Sequence, residues 1–176
     1  LGPIERDRLD LVRAIRSWDF ERGYAAASRL LAQLPGSDDA RREKALFALR
    51  LKRYQEGIAL LRELDPDRGL LAGWRDHYWR ALSAAYHALG DYEGEMAAAG
   101  AMTKGEPVLG SFVRARAFIA SGQVDEGLKA MDRAIEIAPT GDLGPWPAWP
   151  LSQHWVLVLT ARELRAHGHE AEAVGV

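Results

Sequence analysis

The feature that most constrains the fold is a pair of similar segments that follow one another between Asp76 and Pro139. Each segment contains a stripe of large apolar residues at helical spacing, a break with one glycine, a second helical run and a closing proline. The two breaks, at Gly90 and Gly122, are 32 residues apart, and so are Pro107 and Pro139. An internal period of this length predicts stacked helical hairpins, each of which buries its apolar face against its neighbours.

The same pattern extends along the rest of the chain. Phe20 and Tyr54, which each begin a second helical run, are 34 residues apart, and Tyr92 follows 38 residues after Tyr54 because of a glycine-containing insertion at 67–73. Three prolines and two glycines in 140–150 predict an irregular loop rich in proline and tryptophan. We therefore predict a single all-α domain over 1–176, with hairpins at about 3–35, 37–66, 74–107, 108–139 and, truncated, 151–176.

Composition excludes several classes of function. The 176 residues include 23 basic and 25 acidic ones, and the net charge of −2 provides no overall attraction for nucleic acid or anionic lipid. Cysteine is absent, which excludes disulfides and thiolate catalysis. The longest run of large apolar side chains spans five residues, Trp155 to Leu159, far fewer than the roughly 20 that cross a bilayer. We expect neither nucleic-acid binding nor membrane insertion.

One hairpin resembles the consensus of the tetratricopeptide repeat family, W-x2-L-G-x2-Y followed by a glycine break, a small residue and a closing proline. The residues that match are Trp79, Leu82, Ser83, Tyr86, Gly90, Ala99 and Pro107. The resemblance covers almost the whole chain and implies an α-solenoid of antiparallel hairpins that winds into a right-handed superhelix. More narrowly, the chain resembles helical-repeat regions of large bacterial signalling and regulatory proteins, and since Leu1 is not a start methionine we expect it to be a piece of such a protein.

Small residues recur where the two helices of each hairpin are expected to cross. On the second helices these places hold Gly23, Gly57, Gly127 and Ala173, whereas the third hairpin has Glu95 there. Because a glutamate fits poorly at a close helix crossing, we expect the neighbouring Gly94 to make this contact.

The resemblance implies that ligands bind in a groove lined by the first helix of each hairpin. The groove-facing positions are mostly basic: Arg8, Arg16, Arg42, Arg50, Arg80, His87, Arg116, Arg162 and Arg165. Apolar residues are expected on the same wall: Leu109, Phe112, Ile119, Trp155 and Val158. From these positions we predict a binding site formed by Arg42, Arg80, His87, Phe112, Arg116, Ile119 and Arg162.

A basic groove favours an acidic protein or peptide as the partner, because guanidinium groups pair with carboxylates in bidentate fashion. The predicted function is therefore that of a non-catalytic interaction module, in the cytoplasm or alternatively the periplasm. Two simpler interpretations stay open at this stage. The arginines can serve only to solvate exposed helix faces, and the apolar residues can be covered by the proline-tryptophan loop or by a neighbouring repeat.

Two alternative functions also stay open. One is homo-oligomerisation through the C-terminal end, where Trp155, Val156 and Leu159 are expected to leave apolar surface uncovered. The other is an intramolecular regulatory role in the parent chain. No catalytic motif is present in the sequence, and His167 and His169, two imidazoles two residues apart without a third ligand, make a poor metal site. No cofactor, metal or enzymatic activity is expected of this fragment, although the parent protein can carry a catalytic domain.

Overall fold

The computed structural model describes residues 1–140 and 151–176. Within these ranges it contains ten α-helices, one 3-10 helix at Gly69–Trp74 and no β-strand. The α-helices are α1 (Pro3–Ser17), α2 (Phe20–Gln33), α3 (Asp38–Arg50), α4 (Tyr54–Arg62), α5 (Arg75–Leu89), α6 (Tyr92–Met102), α7 (Pro107–Ala120), α8 (Val124–Ile137), α9 (Gln153–Ala166) and α10 (Glu170–Gly175). The prediction of an all-α array of helical hairpins is confirmed. None of the described helices is long and apolar enough to cross a membrane.

The helix ends are set by the residues that the sequence places in the breaks. Gly90, Gly122 and Gly168 have φ angles of +71°, +81° and +83°, in the left-handed region that glycine adopts without a steric penalty. After the first of these breaks, Asp91 caps α6 by accepting a hydrogen bond of 2.9 Å from the backbone N–H of Gly94. Short turns of this kind bring consecutive helices back alongside each other.

The chain divides into two compact units, residues 1–85 and 86–176. In the first unit, α2 packs against α1 and α3, and α3 packs against α4. The predicted small residue at the α3–α4 crossing is required by its surroundings, because a Cβ atom on Gly57 would lie 2.3 Å from Cδ2 of Leu49. The carbonyl oxygen of Ala45 would lie 3.3 Å from the same Cβ atom, and Ala45 is completely buried.

In the second unit, α7 is the central helix and packs against α6, α8 and α9. Ile119 of α7 is fully buried in a cluster with Leu164 and Ala173. Gly127 lies beneath it, where a Cβ atom would lie 2.6 Å from Cγ1 of Ile119. The backbone of α8 therefore approaches α7 closely at this point, as the small-residue pattern predicts.

Candidate functional site

A concave pocket of about 480 Å³ lies in the first unit, where α3 and α5 face each other. The residues that line it are Leu46, Leu49, Arg50, Tyr54, Trp74, His77, Arg80, Ala81, Ala84 and Ala85. They combine aliphatic and aromatic surface with two guanidinium groups and an imidazole, and none of them carries a carboxylate. We refer to this as the α3–α5 pocket.

The two arginines of the α3–α5 pocket differ in their surroundings. Arg50 is exposed and has no hydrogen-bond or ion-pair partner among the residues that the structure describes. Arg80 is partly buried, and burial lowers its pKa while the charge of Asp76 opposes that shift. Because guanidinium groups carry a positive charge in proteins, both arginines can pair with a carboxylate.

Arg42, the other predicted site residue of the first unit, lies beside this pocket but is already paired. Its guanidinium group makes ion pairs of 3.0 Å to Asp39 and 2.8 Å to Glu43. The same group lies 5.7 Å from the centroid of the Trp74 ring, in cation–π range. Because Asp39 and Glu43 already compensate the charge of Arg42, the contribution of Arg42 to the pocket is its contact with the Trp74 ring.

The basic character is concentrated in the α3–α5 pocket. A neighbouring pocket between α1 and α3 contains Arg8 but also the carboxylates of Asp39 and Glu43. A third, which includes Ile15 and Trp18, contains Glu43 together with Arg50, which lines both this pocket and the α3–α5 pocket. The groove-facing positions of the first unit therefore form a surface of mixed charge with one basic region.

In the second unit, His87 and Arg116 converge on a glutamate. The Glu95 carboxylate accepts hydrogen bonds from Arg116 Nε at 2.6 Å and pairs with His87 Nδ1 at 2.9 Å. The side chain of Glu95 is 0% exposed. The carboxylate is thus a buried group at a helix crossing, with a contact to each of its two neighbours, Arg116 and His87.

This arrangement corrects the expectation that Gly94 replaces Glu95 at the crossing. Gly94 does lie close to the Tyr86 ring, but Glu95 is the residue that is completely buried. Glycine residues at the same place in two other hairpins lie beneath an apolar residue eight positions earlier, Leu49 or Ile119. In the third hairpin that position holds His87. Glu95 therefore replaces the glycine and His87 replaces the apolar residue, so that both members of the pair are polar.

The polar contacts continue from His87 to α9. Nε2 of His87 lies 3.3 Å from Oε1 of Glu163, and Nε2 of His167 lies 3.0 Å from the same oxygen. No sequence motif indicates Glu163, and the sequence pairs His167 only with its neighbour His169. The joint replacement at positions 87 and 95 was the available signal of a polar site, but it does not reveal which residues of α9 complete it.

The remaining predicted site residues of the second unit do not form one surface. Ile119 is 0% exposed and Phe112 is 7% exposed, because α7 is enclosed by three helices. Neither lines an open groove, which corrects the expectation for these two residues. Arg162 lies exposed on α9.

The apolar surface expected at the C-terminal end is also reduced. Trp155 is 7% exposed and Val156 is 0% exposed, so these two residues are part of the core rather than an uncovered face. The proline-tryptophan loop, apart from Thr140, lies outside the described residues.

No protein-family model matches the sequence, and no curated protein shows significant sequence similarity to it. Solved structures, in contrast, match nearly the whole chain. MamA 41-end from Desulfovibrio magneticus RS-1 has a TM-score of 0.67 at 12% identity, over 99% of this chain and 91% of that chain. The MamA RS-1 ArsTM double mutant has a TM-score of 0.66 at 12% identity, over 99% of this chain and 90% of that one.

A Podospora anserina protein assigned as a kinesin light chain, with nearly identical TPR-like repeats, has a TM-score of 0.67 at 17% identity. The match covers 99% of this chain and 93% of that one. Similarity at these levels of identity establishes the fold, and it agrees with the repeat pattern of the sequence. The chain therefore adopts a tetratricopeptide-like α-solenoid fold.

Proposed function

We propose that the chain is a non-catalytic protein-interaction module that binds an acidic segment of a partner protein in the α3–α5 pocket. The observation that carries this proposal is Arg50, a cationic side chain without a partner among the described residues, at the rim of an apolar pocket that contains no carboxylate. The structural similarity to TPR-like repeat proteins supports a scaffold role in general terms.

The composition of the pocket defines the ligand by its chemistry. Arg50 and Arg80 provide planar donor groups for a carboxylate, which they can engage in bidentate fashion. Trp74, Tyr54 and Leu46 provide the surface for an apolar side chain next to that carboxylate. The matching ligand is a segment in which an Asp, a Glu or a terminal carboxylate lies close to a large apolar residue.

In its biological setting, the module would belong to a larger regulatory protein, with this segment supplied by another protein or by the parent chain. A protein partner fits the pocket better than nucleic acid, because the overall charge of −2 gives no long-range attraction for phosphates. Self-association is a distinct possibility that the following experiment separates.

The test is selection of peptides from a displayed random library, followed by fluorescence-anisotropy titration of the selected peptides. We expect the selected peptides to contain an acidic residue close to Leu, Phe or Trp. Arg50→Ser and Trp74→Ala should each weaken binding by roughly tenfold or more, as expected for arginine and aromatic anchors. Arg114→Ser is the matched control, because Arg114 is an exposed arginine that lines a different pocket, on α7 and α8.

Three outcomes would overturn the proposal. Peptides without acidic residues would remove the proposed ligand class. Loss of binding in Arg114→Ser but not in Arg50→Ser would move the site to the second unit. If the library yields no binding peptide and the free protein sediments as a dimer, self-association would be the favoured function.

A further inference from the structure

We propose that His87, Glu163 and His167 form a binding site for one divalent transition-metal ion of the zinc type. Each of these residues offers one ligand atom, and the three atoms all lie within 4.8 Å of one another. The residues come from the C-terminal ends of α5 and α9, which are far apart in sequence. Two imidazoles and one carboxylate are a ligand set that zinc prefers.

The two distances from the Glu163 oxygen to the imidazole nitrogens fit an ion shared by these atoms. Oε1 of Glu163 lies 3.3 Å from Nε2 of His87 and 3.0 Å from Nε2 of His167. Ligand atoms at about 2.0–2.1 Å from a tetrahedral zinc ion are separated by roughly 3.3 Å from one another. The two measured distances are close to this value without rearrangement of the helices.

Hydrogen bonds do not account for these contacts. Oε1 of Glu163 is buried and has no hydrogen-bond partner among the described residues, although two imidazole nitrogens lie next to it. A buried carboxylate oxygen is costly unless a donor or a cation compensates it, and either a protonated imidazole or a metal ion can do so here. An ion between the oxygen and both nitrogens would satisfy all three atoms at once.

The residues around the cluster hold His87 in the orientation that a metal ligand needs. Nδ1 of His87 lies 2.9 Å from the buried carboxylate of Glu95, which Arg116 also holds. With its proton on Nδ1, where it donates to Glu95, the ring directs the lone pair of Nε2 towards Glu163. Carboxylate–histidine–metal arrangements use this geometry to fix the tautomer and orientation of the ligand.

The backbone adds to the attraction for a cation. Helix α5 ends at Leu89 and α9 ends at Ala166, so His87 and His167 lie at or near the last residues of their helices. The C-terminal end of a helix carries a partial negative charge that favours cations. With three protein ligands, the ion keeps a fourth position for water or for a side chain of a partner.

The test uses full-length chain stripped of metal with a chelator and then titrated separately with Zn²⁺ and Co²⁺. We expect one ion per chain by equilibrium dialysis with elemental analysis, and visible Co²⁺ absorption bands of a low-coordinate site. Saturating Zn²⁺ should raise the melting temperature on the order of 5 °C. The inference does not depend on peptide binding, so the two proposals fail separately.

The variants separate a designed site from incidental binding by histidine. His167→Ala and Glu163→Gln should each weaken Zn²⁺ binding at least tenfold, and Glu95→Gln should weaken it roughly 10- to 100-fold through the orientation of His87. His77→Ala, which removes an exposed histidine of the first unit, should leave binding unchanged. Because His167 is exposed, His167→Ala keeps the test valid even if the Glu95 variant does not fold. The proposal is wrong if the folded parent chain binds no stoichiometric ion, or if His77→Ala and His167→Ala weaken binding equally.

Discussion

At the scale of single residues, the least expected feature is the buried Glu95. A carboxylate without contact with water is tolerated only when donors surround it, as the Arg116 guanidinium and the His87 ring do here. Glu95→Ala would remove the carboxylate that pairs with the Arg116 guanidinium, and we expect it to lower the free energy of unfolding by about 3 kcal/mol. Urea denaturation in the presence of a chelator measures this loss without a contribution from metal.

Two further variants show whether the charge network itself stabilises the fold. Glu93→Ala removes an exposed glutamate from the same helix and should change the free energy of unfolding by no more than about 0.5 kcal/mol. The triple variant Glu95→Gly/His87→Leu/Arg116→Leu restores the apolar pattern of the other hairpins. We expect it to be as stable as the parent chain or more stable, because well-packed apolar residues often replace buried ion pairs at no cost. A strongly destabilised triple variant would mean that the network contributes net stability.

A second residue-scale prediction concerns acid stability. The hydrogen bond from Arg29 lowers the pKa of Asp7 below its ordinary value of 3.8, burial opposes this shift, and a hydrogen bond from Gln33 adds to it. A carboxyl group whose pKa is lower in the folded state contributes stability above its unfolded pKa and loses it as the pH falls through the folded pKa. Asp7→Asn should therefore be less stable than the parent chain at neutral pH, and the difference should shrink below about pH 4.

Urea midpoints at neutral and acidic pH measure this difference. Asp132→Asn is the control, because Asp132 is an exposed aspartate without a partner among the described residues. A gap between Asp7→Asn and the parent chain that stays constant with pH would contradict the assignment to the Asp7 charge.

The sequence predicts single residues well where sterics decide and poorly where distant partners decide. Gly57 and Gly127 were predicted at helix crossings, because only a small side chain allows close backbone approach and the repeat places it in phase. Gly94 makes the close contact that was expected of it, but the complete burial of Glu95 was not predicted, because a glutamate is normally expected at the surface. Its partners, and those of His87, come from other hairpins, and no local pattern identifies them.

At the scale of elements, helix existence and ends follow from local signals. Glycine breaks predicted the starts of α6 and α8, and the apolar periodicity predicted α9. The insertion at 67–73 was predicted only as extra length, whereas the structure has a 3-10 helix at Gly69–Trp74 that brings Trp74 into the α3–α5 pocket. Phe112 was expected in a groove because the repeat pattern does not indicate that α7 is enclosed by three helices.

The helix crossing of α7 and α8 gives a prediction at the same scale. A Cβ atom at Gly127 would lie 2.6 Å from Ile119 and 3.1 Å from the carbonyl oxygen of Ala115, so Gly127→Ala must move one helix. We expect it to lower the free energy of unfolding by about 1–3 kcal/mol. Gly100→Ala on α6 is the matched control, since a Cβ atom there meets nothing within 4 Å.

The control substitution should have the opposite sign. Glycine within a helix is less favourable than alanine by about 0.5–1 kcal/mol, so Gly100→Ala should raise the melting temperature while Gly127→Ala lowers it. Thermal unfolding followed by circular dichroism compares the two. If both variants shift in the same direction, helix propensity rather than close approach decides the outcome.

At the scale of the whole molecule, the overall charge of −2 conceals local regions of opposite sign. Many charged residues neutralise each other in pairs, as Arg42 does with Asp39 and Glu43. Arg50 differs, because the structure gives it no partner among the described residues. Binding of an acidic segment is therefore expected to depend on the few arginines of the α3–α5 pocket and not on long-range attraction by the protein.

This view predicts how the affinity of a selected acidic peptide responds to salt. Screening lengths fall from about 8 Å at physiological ionic strength to about 3 Å at 1 M, and exposed charge pairs weaken accordingly. If Arg50 and Arg80 each contribute roughly 0.5–1 kcal/mol through charge, 1 M NaCl should weaken binding of the peptide roughly tenfold. Arg50→Ser should bind more weakly at low salt and respond less to added salt, because it lacks the exposed member of the pair. A peptide with lysine in place of its acidic residue is the control, because it keeps the apolar contacts and lacks the carboxylate. If the acidic peptide bound more tightly at high salt, recognition would depend on Trp74 and its apolar neighbours and not on the arginines.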